Sequence, residues 1–157
     1  MTTITVPEGL QYVAVALLAT VLVLWWQNLT VREWRKRSGI KYPQLYAEKA
    51  EAEASKDALI FNCAQRAHYN TLENIPVIYA TTLLTALKYP ILAASACSVW
   101  ILGRIAYTLG YVSTGDPQKR LGIMHTIGEV SMYVLLFSSL HTVGKLVVSN
   151  LRGLVES

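Results

Sequence analysis

The chain has 157 residues, of which 53% are hydrophobic and 15% charged, with a formal net charge of +4. A soluble globular chain is about 25% charged, so too little polar side chain is present to cover a soluble domain, and the mean hydropathy of +0.35 agrees. These figures argue against a soluble enzyme, a disordered chain and a disulfide scaffold, and favour a polytopic membrane protein.

The first apolar segment runs over about residues 10–29. Thr5-Val6-Pro7-Glu8 fits a capping box ahead of it, and Trp25-Trp26 stand near its end, where amphipathic rings prefer the membrane interface. It lacks a basic leader and a convincing cleavage site and is long enough to span, so it is not expected to be a cleaved signal peptide. The loop over 30–56 follows. Of the 24 charged residues, 12 lie between Arg32 and Asp57. Within it, Glu48 to Asp57 is expected either to extend as solvated helix or to stay an exposed charged run.

The second segment, about 57–87, is apolar from Ile75 to Leu87 but polar from Phe61 to Asn74. Pro76 is expected to bend or loosen the helix between the halves. Lys88-Tyr89-Pro90 makes a turn. The third segment covers about 91–111, where Ala94 and Ser98 form a small-xxx-small pair suited to close helix contact. Ser113-Thr114-Gly115-Asp116-Pro117 is a loop within 112–120, and the fourth segment covers about 121–148.

Seven Lys and Arg residues occupy the first loop, Lys119 and Arg120 the third, and Lys88 alone the second. The positive-inside rule then puts loops one and three in the cytoplasm. The positive charge is read as orientation and not as nucleic-acid binding. Cys63 and Cys97 show no CxxC or zinc spacing and are expected as unpaired thiols.

Ionisable groups at membrane depth are costly, and a functional site is the default expectation for them. In the second segment Arg66, Asn70 and Glu73 lie within about 60° of one another on a helix, with Asn62 extending the stripe. A cation, an amide and a carboxylate in a row suit a small zwitterion with amide bonds. Two other readings stay open: Arg66 and Glu73 neutralise each other, or the polar half protrudes into the cytoplasm. His68 faces the opposite side, so any site it serves differs from that of Arg66 unless sites lie between subunits of a symmetric oligomer. Arg104, Tyr107 and Tyr111 share a face of the third segment, as donors to carboxylate or thiolate or as interfacial anchors. His125 with Glu129, and His141 with Lys145, are read as packing or helix-end pairs.

The run Phe61 to Glu73 (FNCAQRAHYNTLE) strongly resembles the helix-two signature of the membrane-associated eicosanoid and glutathione metabolism proteins, the MAPEG family, and within it the type III microsomal glutathione S-transferases. Trp34-Arg35-Lys36-Arg37, Lys41-Tyr42-Pro43 and Tyr46 resemble the family's first loop, and Gly115-Asp116-Pro117-Gln118-Lys119-Arg120 its third. The resemblance covers nearly the whole chain as a single domain over 1–157. It implies an all-α, left-handed four-helix bundle, assembled as a homotrimer in the endoplasmic reticulum, outer nuclear or outer mitochondrial membrane, with its site facing the cytosol.

It also implies glutathione as co-substrate, held between subunits, a lipophilic substrate taken from the bilayer, and no metal or redox cofactor. Arg35, Arg66, His68, Asn70, Glu73, Tyr107 and Tyr111 match glutathione contacts, His68 from the neighbouring subunit, and Arg120 matches the arginine that activates the thiol. Tyr69 and Asn74 depart from the family pattern. The implied reactions are glutathione transfer, including leukotriene-C-synthase-like conjugation, and lipid hydroperoxide reduction. The alternatives are a non-catalytic lipid-presenting scaffold, like the family's lipoxygenase-activating protein, and a structural membrane subunit or small transporter.

Overall fold

A computed structural model describes residues 8–155, and among the described residues it contains helices and no strand. They are α1 (Leu10–Ser38), α2 (Lys49–Ala54), α3 (Lys56–Ala86), α4 (Pro90–Thr114) and α5 (Ile123–Val155), with a 3-10 turn over Pro117–Arg120 ahead of α5. Three helices are long and apolar enough to cross a membrane: Leu10–Ser38, Pro90–Thr114 and Ile123–Arg152. In length α3 matches them, with 31 residues. Its polar half, with Asn62, Gln65, His68, Asn70 and Asn74, keeps it outside that group.

Helices α3 and α4 pack on each other, and each also touches both α1 and α5. The interior holds Ala16, Ile78, Cys97 and Leu135 packed around the large buried ring of Trp100. The outer faces carry the large apolar residues. Leu18, Leu22, Trp25, Phe137 and Leu140 are all about half exposed or more. Such an outward apolar surface needs lipid as its solvent. The protein is therefore a multi-pass membrane protein.

Local signals explain the ends. Ser55 caps α3 by accepting the Ala58 N–H, with Asp57 in the first turn. Pro90 opens α4 at a position where its missing N–H costs nothing. Between Glu48 and Asp57 the chain forms α2, but Ser55 is extended and breaks it from α3, so the stretch is not one continuous helix. Glu48 and Glu51 close a capping box on α2. Pro76 is accommodated inside α3, which remains one helix. Of the proposed capping box before α1, Thr5, Val6 and Pro7 lie outside the described residues, and Gly9 holds the N-cap position without a side-chain hydrogen bond.

The tightest crossing joins α4 to α5 at Gly103 and Gly128. A Cβ on Gly103 would stand 2.8 Å from the Gly128 Cα. Two backbones this close leave room for hydrogen alone. The Ala94–Ser98 pair does not make this contact: Ala94 is buried against Val13 and Ala86, while Ser98 is exposed.

A buried polar cluster ties the helices together. The Gln27 amide donates to Thr71 Oγ1 at 2.9 Å and to Thr108 Oγ1 at 2.8 Å. Those hydroxyls donate in turn to the carbonyls of Ala67 and Arg104. This joins α1, α3 and α4 where no water competes for the bonds. Cys63 and Cys97 are buried and unpaired.

Candidate functional site

The polar half of α3 lies at the end of the bundle that carries the first loop. On it, Arg66 Nη1 meets Glu73 Oε1 at 3.0 Å, with both side chains about half exposed. Within one chain the cation and carboxylate of the stripe therefore neutralise each other. Asn70 sits between them. Asn62 does not extend the site. Its side chain clamps the backbone of Ala47, accepting the N–H at 2.7 Å and donating to the carbonyl at 2.9 Å.

That clamp brings Tyr46 beside Arg66 and Tyr69. The Tyr46 and Tyr69 ring centroids are 6.5 Å apart. Burial pushes the Tyr46 phenol above its ordinary pKa, with the neighbouring Arg66 pulling it the other way.

Arg104, on α4, is 1% exposed and holds the site from beneath. Its Nη2 donates to Asn70 Oδ1 at 2.5 Å, its Nη1 to Glu129 Oε1 at 3.3 Å and its Nε to Thr71 Oγ1 at 3.3 Å. A guanidinium only donates, so the Asn70 oxygen is committed and its NH₂ is left to face a ligand. The guanidinium also lies 4.3 Å from the Tyr107 ring centre.

Tyr107 and Tyr111 lie one turn apart, with ring centroids separated by 5.1 Å. Between them Gly110 lets the 3-10 turn press onto α4. A Cβ there would collide with the Lys119 carbonyl oxygen and stand 3.3 Å from the Arg120 Cα. This approach sets the Arg120 guanidinium 5.5 Å from the Tyr111 ring centre.

The result is one polar cleft of about 460 Å³, lined by Arg66, Asn70, Tyr107, Tyr111 and Arg120, together with Asn74, Leu121, His125 and Glu129. Its volume falls within the roughly 300–1,000 Å³ of small-molecule sites. Glu73 adjoins it through Arg66.

Two predicted residues lie elsewhere. Arg35 is buried under the first loop, where its Nη1 donates to the Gln44 carbonyl at 2.8 Å and its guanidinium covers the rings of Tyr42 and Phe61. It borders a separate basic cleft of about 440 Å³ with Arg32, Lys36 and Tyr42. His68 does not line the Arg66 cleft. Its Nδ1 is buried without a hydrogen-bond partner among the described residues.

Sequence reasoning missed His125 and Glu129 as cleft residues. His125 stands 4.8 Å, ring to ring, from Tyr107, and its Nδ1 is 3.9 Å from Glu129 Oε1. A carboxylate in an apolar helix demands a cation, and that was the signal available for Glu129.

Gly110→Val is expected to displace the turn that carries Arg120. Activity in the assays below should fall at least tenfold while far-ultraviolet circular dichroism keeps its helical signal.

A multi-pass helical membrane protein with a cationic, tyrosine-walled cleft at one end is the class that fold and site define. The MAPEG family signature matches residues 13–141. The chain belongs to the MAPEG family. That family includes glutathione transferases and related non-catalytic members. An uncharacterized protein of Synechocystis sp. is 33% identical over 81 residues, covering 51% of this chain and 57% of that protein. The chain thus matches little more than half of that relative's length.

Proposed function

We propose that the protein is a membrane-bound glutathione transferase, with glutathione-dependent lipid peroxidase activity, of the type III microsomal kind. The observation that carries this reading is the convergence of Arg66, Asn70, Tyr107, Tyr111 and Arg120 on one cleft from α3, α4 and the 3-10 turn.

Glutathione brings two carboxylates, an ammonium and a thiol. The Arg66–Glu73 pair is an internal stand-in for a zwitterion. A ligand carboxylate can replace Glu73 on Arg66, while the ligand ammonium takes Glu73. The Asn70 NH₂ and the tyrosine hydroxyls add donors. The thiol, with a free pKa of roughly 8.5, is a weak nucleophile until it ionises. The Arg120 guanidinium favours the thiolate, and the thiol proton leaves to solvent. The thiolate then displaces a leaving group or opens an epoxide on a lipophilic electrophile. With a lipid hydroperoxide it attacks the terminal oxygen, the alcohol departs, and a second glutathione converts the sulfenic acid to disulfide and water.

Four further points belong to this reading. Helix α3 is the fourth span, completing a left-handed four-helix bundle. Three chains assemble, so that His68, which lies off the cleft in its own chain, meets glutathione across a subunit boundary, and Arg35 holds a glutathione carboxylate. The membrane is that of the endoplasmic reticulum. The first loop and the cleft face the cytosol, in line with the Lys and Arg bias of the loops.

Purified protein in detergent should show the ultraviolet difference signal of thiolate when glutathione is added. Glutathione turnover should then follow with at least one of a leukotriene epoxide, a lipid hydroperoxide or a chlorinated aromatic. A flat difference spectrum at saturating glutathione would overturn the enzyme reading in favour of a lipid-presenting scaffold.

A further inference from the structure

We infer that the opposite end of the bundle holds a site for the phosphate of an anionic phospholipid headgroup. On α5, His141, Lys145, Val148 and Arg152 lie within about 60° of one another at 100° per residue, forming one stripe. Lys88 reaches the same place from the turn between α3 and α4. Together these residues border a cleft of about 860 Å³. Tyr89 stacks on His141 with ring centroids 6.3 Å apart, which holds the turn against the stripe.

Among the described residues no carboxylate lines this cleft. Neither Lys88, Lys145 nor Arg152 makes an ion pair among the described residues. Three like charges converging from two elements repel one another, and an anion between them removes that cost. A phosphate can accept from the ammonium groups of Lys88 and Lys145 and from the fork of Arg152, with the His141 ring N–H as a further donor.

The surroundings select a lipid over a free phosphate. Val148 lines the cleft itself, and Leu84 and Leu87, at the end of α3 just before Lys88, are exposed. They offer an apolar wall along which acyl chains run while the headgroup stays at the cations. Basic pockets between membrane helices on the cytoplasmic side take anionic headgroups by this combination, and the same contacts serve an anionic lipid in the opposite leaflet.

The test uses the full chain in detergent with dioleoyl phosphatidic acid or dioleoyl phosphatidylcholine added, and bound lipid read by native mass spectrometry. Phosphatidic acid should be retained at least tenfold over phosphatidylcholine. The triple variant Lys88→Gln/Lys145→Gln/Arg152→Gln should lose that preference. A first-loop control, Lys36→Gln/Lys41→Gln/Lys49→Gln, should keep it. All three cleft cations are exposed, so their replacement leaves the core intact. Lys145→Gln alone should lower retention about threefold, a second reading that does not depend on the triple variant. Equal retention of the two lipids, an unchanged triple variant, an equal loss in the loop control, or displacement by equimolar glycerol 3-phosphate would each overturn the assignment.

Discussion

Arg120→Ala is expected to lower glutathione turnover about a hundredfold while changing the glutathione Kd by no more than about threefold. Removing one preorganised positive donor from a developing or resident anion costs roughly 10²–10³ in rate. The arginine is held for such a role. It ends a 3-10 turn that Gly110 admits close to α4, and its guanidinium stands 5.5 Å from the Tyr111 ring centre. Binding rests on other groups, among them Arg66, Asn70 and Glu73, so affinity survives. Each tenfold loss of thiolate corresponds to about 1.36 kcal/mol. The thiolate difference signal at neutral pH should therefore shrink in the variant and return as pH rises, because alkaline solution ionises the thiol without help. Arg120→Lys keeps the charge and should recover part of the rate. An equal loss in Kd and turnover would make Arg120 a binding residue instead.

Arg104→Met should destabilise the folded chain by about 3 kcal/mol and weaken glutathione binding at the same time. The guanidinium is 1% exposed and is the shared donor of Asn70, Glu129 and Thr71. Removing one partner of a buried ion pair costs about 3–5 kcal/mol, because the other charge remains without compensation. The Glu129 side chain is 32% exposed, which places the loss at the lower end. Met fills similar volume, so cavity formation adds little. Adding Glu129→Gln should restore part of the stability, since a neutral amide costs less to leave unpaired. It should not restore binding. With Arg104 gone, Asn70 is free to turn its oxygen outward and offers an acceptor where a ligand carboxylate requires a donor. Denaturant titration in detergent separates the first effect, and isothermal titration with glutathione the second.

Much of the cleft was legible in the chain. Arg66, Asn70 and Glu73 stand out because polar residues in an apolar chain are scarce and helical spacing puts them on one face. The opposite facing of His68 follows from the same angle. The partners of those residues were not legible. Arg104 contacts Asn70 and Glu129 across 34 and 25 positions, separations on which helical periodicity is silent. The pair of His125 and Glu129 looks like an ordinary i, i+4 packing pair until α5 is laid beside Tyr107. Likewise Ala94 and Ser98 carry the small-residue pattern, yet Gly103 and Gly128 make the contact, because proximity depends on where two helices cross.

Composition and hydropathy by themselves determined that this protein lives in a membrane, because apolar excess and charge position are sums over the chain. They also determined the polar stripe of the second helix, because a helix converts spacing directly into angle. Tertiary structure alone decided that Arg66 is paired with Glu73, that Asn62 and Arg35 hold the first loop, and that Arg104 dictates which way Asn70 presents its amide. Those outcomes depend on which donor reaches which acceptor between separate elements. That distance is set by helix crossing and by the room that Gly103, Gly110 and Gly128 leave, and not by any property of a single helix.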